Sequence, residues 1–349
     1  MNGLVLEGGG VKGSYQVGAY FAFRDCHVKL DGFVGTSIGA FNSAILACGK
    51  GKELLDFWYN VKPGEILGFD KKYIEAVEEK KIDLSSIGGL AKTFGKVVTN
   101  LGFDNTGLYE CLKNIFNEQE LRKSKKDFGL VTVRLPKLEP IYTYKEMIPD
   151  GKVGEYILAS CYLPVFREKK IIDNHYYIDG GFYDNSPSVM LADLGYKNIY
   201  VIKIKGIGID RKHKFKNANL INISPSRNNG KILELDQNVI RDNIMMGYYD
   251  TLRVLKKNDG YKYNFKRKCD YFYNFICRKV DKRELRRIKN FFNAESNKEA
   301  IIKSFEYVME KEKINYYDVY SPYKILKILK RKKKAHFVYK FLGKLKVFF

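Results

Sequence analysis

The 349-residue chain predicts an α/β fold with a parallel sheet, and three observations predict it. Two short apolar runs, residues 3–6 and 28–34, each lead through a glycine-dense turn into an apolar helical stretch. A β-turn-α unit repeated in this way favours neighbouring parallel strands, with both turns at the C-terminal edge of the sheet, where such folds bind ligands. A later apolar strand ends in Asp179-Gly180-Gly181, a third tight turn of the same kind. With 45% apolar and 14% aromatic residues the chain can fill a core, so disorder is not expected.

Each element follows from its pattern. Residues 3–6 form a compact apolar strand, broken by Gly8-Gly9-Gly10, and Ser14 sits where it could cap a helix. Tyr15, Val17, Ala19, Tyr20, Phe21 and Phe23 carry that helix to about Arg24, and residues 38–48 form the second. Residues 52–125 read as mostly helical, with a break at Gly88-Gly89 and a polar loop at Asp104-Asn105-Thr106-Gly107. Residues 128–134 and 140–144 are two strands, and the helix at 154–160 is stopped by Cys161-Tyr162-Leu163-Pro164. Ile171-Ile172 and Tyr176-Tyr177-Ile178 lead to Asp179, and Asn185-Ser186-Pro187 opens another helix, proline lying near the favoured first helical position. A last strand at 198–205 and a long helix at 230–255 complete a main domain of residues 1–260.

Beyond residue 260 the composition shifts to Tyr, Phe, Asn and Lys, giving a basic, mainly helical C-terminal extension over residues 261–349, with helices near 281–293, 296–311 and 322–349. The net charge of +22 is concentrated there: residues 261–349 hold 25 Lys/Arg against 9 Asp/Glu, and ten Lys/Arg follow Asp318 with no acid among them. Ile325, Leu326, Ile328, Leu329, Phe337, Val338, Phe341, Leu342 and Leu345 recur at helical spacing between lysines, and the chain ends in Phe348-Phe349. That stripe suits an anionic membrane surface, which is the expected partner, the alternative being a helix packed on the main domain with its lysines in water. No nucleic-acid motif accompanies the charge, so nucleic acid is not an expected partner. Met1 runs straight into the first strand without an n-region or apolar h-region, and no run of about 18 apolar residues occurs. The six cysteines lack metal or disulfide spacing and read as reduced, buried thiols, so with no signal-peptide pattern the expected location is the cytoplasm, peripherally at the inner membrane surface. No metal and no cofactor are expected.

Gly35-Thr36-Ser37-Ile38-Gly39 is G-x-S-x-G between a strand and a helix. A nucleophile elbow is a crowded bend, and glycines two before and two after the serine remove side chains that would clash. Ser37 then sits at a helix N-terminus, where the dipole favours developing negative charge. Gly8-x-Gly10-x-x-Gly13 also matches a dinucleotide fingerprint, which calls for an acid at the end of the second strand. Asp31 lies inside or before that strand, and the elbow occupies its end, so Gly8, Gly9 and Gly10 are better read as oxyanion-hole residues. Lys12, just inside the following helix, could bind a substrate phosphate. Of the four histidines (His27, His175, His213 and His336), none has a context that recommends it as the base for Ser37.

Glu7-Gly8-Gly9-Gly10-Val11-Lys12-Gly13, Gly35-Thr36-Ser37-Ile38-Gly39 and Asp179-Gly180-Gly181, in this order, resemble the patatin-like phospholipases. Ala159-Ser160-Cys161-Tyr162-Leu163-Pro164-Val165-Phe166 and Asn185-Ser186-Pro187 look like further blocks of that family, and the likeness covers roughly residues 1–255. The resemblance implies a three-layer α/β/α fold with a mostly parallel central sheet and a Ser–Asp pair that works without histidine. Carried over, Ser37 is the nucleophile and Asp179 the general base, with Gly9 and Gly10 supplying the oxyanion hole. Lys12 stands where many members carry arginine, and Glu7 where many carry aspartate. The implied activity is hydrolysis of phospholipid or other acyl esters through an acyl-enzyme. The alternative is a basic membrane- or nucleic-acid-binding protein on an inactive hydrolase fold.

Overall fold

The computed structural model describes residues 1–62, 106–163, 170–232, 234, 236–278, 280–330 and 336–345. Gly88-Gly89, Asp104-Asn105, Pro164-Val165-Phe166, the run Arg331-Lys332-Lys333-Lys334 and Phe348-Phe349 lie outside the described residues. The chain divides into two compact units, Met1–Tyr248 and Tyr249–Phe349.

The first unit is built on an eight-stranded sheet. Its strands are β1 (Asn2–Leu6), β2 (Gly32–Thr36), β3 (Asp127–Arg134), β4 (Glu139–Tyr144), β5 (Lys170–Ile172), β6 (His175–Asp179), β7 (Asn198–Ile202) and β8 (Asn219–Ile223). The order is β5-β6-β3-β2-β1-β7-β8, with β4 paired to β3. Strands β3, β2, β1, β7 and β8 run parallel, while β4 and β6 are antiparallel to β3.

Helices cover both faces, and strand alternation decides which residues meet which layer. Val5, Val34, Val131 and Val201 point to one face and pack with Met190, Leu191 and Tyr196, of which the first two lie on a short helix at Ser188–Asp193. Leu4, Phe33 and Tyr200 are in register on the other face. There Phe23 of α1 (Ser14–Asp25) meets Tyr200 at 4.8 Å between ring centroids. Helix α2 (Ile38–Ala47) lies on this side, with α3 (Gly51–Asn60) behind it. A chain of buried polar groups ties these helices to the first turn. Trp58 Nε1 donates to Asn42 Oδ1 (3.0 Å), Asn42 Nδ2 to Gln16 Oε1 (2.8 Å), and Gln16 Nε2 to the Glu7 carbonyl (2.6 Å).

Several expected boundaries move. Strand β2 begins at Gly32 because residues 28–31 are used at the end of β1, where Asn2 donates to the Lys29 carbonyl and to Asp31. The long helix, α8 when the intervening helices at Thr106–Ile115, Glu118–Lys123, Val153–Ser160 (α6) and Ser188–Asp193 (α7) are counted, starts at Gln237, after Gly230 at φ +80°. Ser14 is no side-chain cap: its hydroxyl donates back to the Val11 carbonyl (3.2 Å). Strand β8, with its half-polar Asn-Leu-Ile-Asn-Ile sequence, carries no apolar run to mark it.

The second unit has its own core, and the amphipathic tail is part of it. Its helices are α9 (Asp270–Cys277), α10 (Lys282–Phe292), α11 (Asn297–Lys311), α12 (Pro322–Lys330) and α13 (Phe337–Lys344), with a two-stranded pair, β9 (Asn264–Phe265) and β10 (Val319–Tyr320). Ile325, Leu326, Val338, Phe341, Leu342 and Leu345 are all buried among Phe265, Phe305, Val308 and Met309. Those six apolar residues of the stripe therefore fill the core of this unit. No helix among the described residues is long and apolar enough to cross a membrane. All six cysteines are free thiols, but Cys269 is exposed, contrary to the expectation that all are buried.

Candidate active site

The register of β3 brings the second and third glycine turns together. Strand β2 runs along one edge of β3 and ends with Thr36 opposite Val131. Strand β6 comes down the same edge from the other direction and ends with Asp179 opposite Thr132, because β4 holds the far edge over this stretch. Two strand ends therefore abut on one edge, and the residues at their tips, Ser37 and Asp179, become neighbours. Gly180 permits the approach, since a Cβ there would collide with the Val131 carbonyl.

Ser37 lies at the N-terminus of α2 with φ +56° and ψ −129°, the strained geometry of an elbow. Gly35 and Gly39 are required by space: a Cβ on Gly35 would overlap Gly39, and one on Gly39 would overlap the Leu6 carbonyl. The bend is fastened from below by Ser160, a fully buried residue at the end of α6. The Ser37 amide donates to Ser160 Oγ (2.9 Å), and Ser160 Oγ donates to the Val131 carbonyl (2.6 Å). Thr36 Oγ1 adds a bond to the Asp184 carbonyl (2.8 Å).

Asp179 is 4% exposed. Its carboxylate accepts a hydrogen bond from the Gly181 amide at 2.7 Å. Burial pushes its pKa up to about 6, and the neighbouring Ser37 side chain and the Gly181 amide restrain the rise. The Cys161 thiol is also hydrogen-bonded with Ser37, and burial holds it neutral by raising its pKa well above the ordinary value. Among the described residues no histidine bonds to Ser37 or Asp179. His213 instead faces Asp184 (3.3 Å), and His336 caps α13 by accepting from the Val338 amide (3.4 Å).

The first turn lies beside the elbow: a Cβ on Gly8 would be 3.1 Å from the Ser37 Cβ. The Gly8 amide does not face an open site, because it donates to the Asn185 carbonyl (3.3 Å), and Asn185 Nδ2 donates back to the Gly8 carbonyl (3.1 Å). The Gly9 and Gly10 amides have no acceptor among the described residues. Gly13 gives its carbonyl to Asn42 Nδ2 (3.0 Å). Lys12 is 8% exposed and its ammonium donates to the Lys205 carbonyl (3.1 Å), so the bond seen is to the chain itself; burial lowers its pKa, with Glu7 opposing. Glu7, raised by burial, accepts from the Ile204 amide and lies 3.9 Å from Lys203. Glu7 and Lys12 thus hold the segment after β7 against the turn.

The sequence alone assigns no role to Ser160 or Asn185, although both stand in family-like blocks, Ala159-Ser160-Cys161 and Asn185-Ser186-Pro187. Their parts are backbone bonds to residues far away in sequence, which no local pattern encodes.

A Patatin-like phospholipase family model matches residues 4–191. Patatin-like phospholipase domain-containing protein 7 of Rattus norvegicus is 26% identical over 205 residues, covering 58% of this chain and 13% of that protein. Lysophospholipase nte1 of Aspergillus terreus is 26% identical over 209 residues, covering 59% and 12%. Probable lipid hydrolase 463L of Invertebrate iridescent virus 6 is 27% identical over 190 residues, covering 53% and 61%. The chain thus spans only a small part of the first two. Among solved structures, VipD from Legionella pneumophila aligns at 17% identity with a TM-score of 0.46, over 96% of this chain and 81% of that one. The family match takes in more than half of the chain, including all three glycine turns: the chain belongs to the patatin-like phospholipase family.

Proposed function

We propose that the protein is a serine lipid acyl hydrolase of phospholipase A or lysophospholipase type, with its chemistry in residues 1–260. Asp179 takes the hydroxyl proton as Ser37 attacks the ester carbonyl, and the Gly9 and Gly10 amides stabilise the tetrahedral oxyanion. The alcohol or lysolipid leaves with that proton. Asp179 then activates water to release the fatty acid and restore Ser37. The observation that carries this reading is the meeting of the Ser37 elbow with the tip of β6, where Asp179 is a buried carboxylate whose pKa is lifted to about 6. A carboxylate near 6 is a stronger base than an ordinary aspartate and is still ionised at neutral pH. The names of the relatives, a lysophospholipase and a probable lipid hydrolase among them, support a lipid ester as substrate.

Purified protein and its Ser37→Ala variant are compared on p-nitrophenyl butyrate and on phosphatidylcholine and lysophosphatidylcholine dispersions. The expected outcome is loss of at least about 1,000-fold in turnover for the variant on every substrate hydrolysed, the scale seen when an activated nucleophile is removed. Equal turnover by the two proteins would refute the reading, and absence of turnover in both would favour a binding protein on a hydrolase fold.

A further inference from the structure

Helix α10 of the second unit carries a cationic cleft that the proposed hydrolysis does not use. Its inward side packs Ile288, fully buried, with Leu285 and Phe292. Its outward side presents Lys282, Arg283, Arg286, Arg287 and Asn290, which line a cleft of about 570 Å³. The acids nearest in sequence are occupied elsewhere. Asp281 accepts from the Arg283 backbone amide (2.7 Å), and Glu284 pairs with Lys344 (2.7 Å). Among the described residues no carboxylate lies within ion-pair distance of the four cleft cations. Lys262, Lys298, Lys303 and Lys324 of the same unit are each paired with an acid. Among the described residues the four cleft cations are thus free of ion pairs and lie together on one helix face, whereas Lys266 and Arg267, also without an ion pair, lie elsewhere in the chain.

Three of the four cations are arginines, whose planar fork matches phosphate oxygens in two-point contacts. Arg287 is held in place by stacking on Phe337, 4.2 Å from the ring centroid. Phe291, one turn further along, is 50% exposed beside this row. General attraction to an anionic membrane needs only scattered surface lysines. A row of guanidinium groups on one helix face, next to an exposed aromatic, fits a headgroup that is more highly charged and sits at an apolar boundary. We infer that the α10 cleft binds the phosphate monoester headgroup of a membrane lipid and so holds the protein at a surface where its substrate lies. A monoester carries a charge of about −1.5 to −2 at neutral pH, which suits several unpaired cations better than a singly charged diester. The inference rests on the lipid hydrolase reading for its choice of partner, but the binding it describes is independent of Ser37.

The test is sedimentation of the full chain with phosphatidylcholine vesicles containing either phosphatidic acid or phosphatidylserine, matched in surface charge. The expected result is preference for phosphatidic acid, a loss of about tenfold in that binding for Arg283→Ala/Arg286→Ala, and a change below about twofold for Lys266→Ala/Arg267→Ala. The second variant removes the same charge from exposed residues of the same unit. Ser37→Ala should bind vesicles like the parent, and the cleft variant should hydrolyse a soluble short-chain ester normally, which separates failure of this inference from failure of the hydrolase reading. Equal binding to both vesicle types, or equal loss in both double variants, would overturn it in favour of diffuse attraction. Tighter binding to a short RNA or DNA oligonucleotide than to phosphatidic acid vesicles would overturn it in favour of nucleic acid.

Discussion

Burying Asp179 gives the proposed base its strength and costs the fold stability. Its pKa, about 6 in the folded protein against 3.8 for the free side chain, means that the folded state holds the proton more tightly than the unfolded one. The destabilisation is absent below pH 3.8, grows as pH rises to 6, and is full above that. A shift of this size corresponds to about 3 kcal/mol. Asp179→Asn should therefore abolish ester hydrolysis yet raise the melting temperature at pH 8, with the gain shrinking at pH 4.5. Thermal melts at the two pH values check the sign, and a gain that is the same at both would show that charge burial is not its source. For the parent, kcat/KM should fall tenfold per pH unit below about 6, as one carboxylate takes up a proton. Ser160 acts one step away, by holding the Ser37 amide. Ser160→Ala leaves that amide without its acceptor in a strained turn, a cost of about 1–3 kcal/mol. The expected kinetic signature is kcat lowered about tenfold with KM little changed; a purely structural residue would lower the melting temperature and leave kcat intact.

At the scale of elements, close approach between helices is set by two glycines. A Cβ at Gly18 of α1 would overlap the Ile244 carbonyl of α8, and one at Gly247 would overlap the Tyr15 carbonyl. The helices cross backbone to backbone, so added volume has no flexible side chain to displace. Gly18→Val should destabilise the protein by about 3 kcal/mol, at the upper end of ordinary overpacking, and lower the denaturation midpoint accordingly. A midpoint within error of the parent would show that α8 can shift without loss. The sequence made the strands and helices of the sheet readable because their apolar runs are uninterrupted. It hid β8, whose polar residues alternate at a sheet edge, and α9, whose aromatic run gave no helical stripe that stood out. The tail was read with the right residues but an open partner. Periodicity shows that a helix has an apolar face, not what that face meets.

For the whole molecule, the candidate site was legible as three turns and a family likeness. Its assembly was not, since the bonds that fix it are between backbone groups. Gly8 with Asn185 and Ser37 with Ser160 are instances. The most consequential arrangement is the one at the edge of β3, where strands β2 and β6 meet tip to tip. Ser37 and Asp179 are separated by about 140 residues, and β3, which aligns them, also follows Ser37 in the chain. On a ribosome the proposed nucleophile is therefore made long before either its proposed base or the strand that would place it. A nascent or truncated chain ending before β6 contains the elbow but lacks the proposed proton acceptor. The proposed Ser37–Asp179 pair is then complete only when the β5-β6 hairpin has docked, with about half of this chain made.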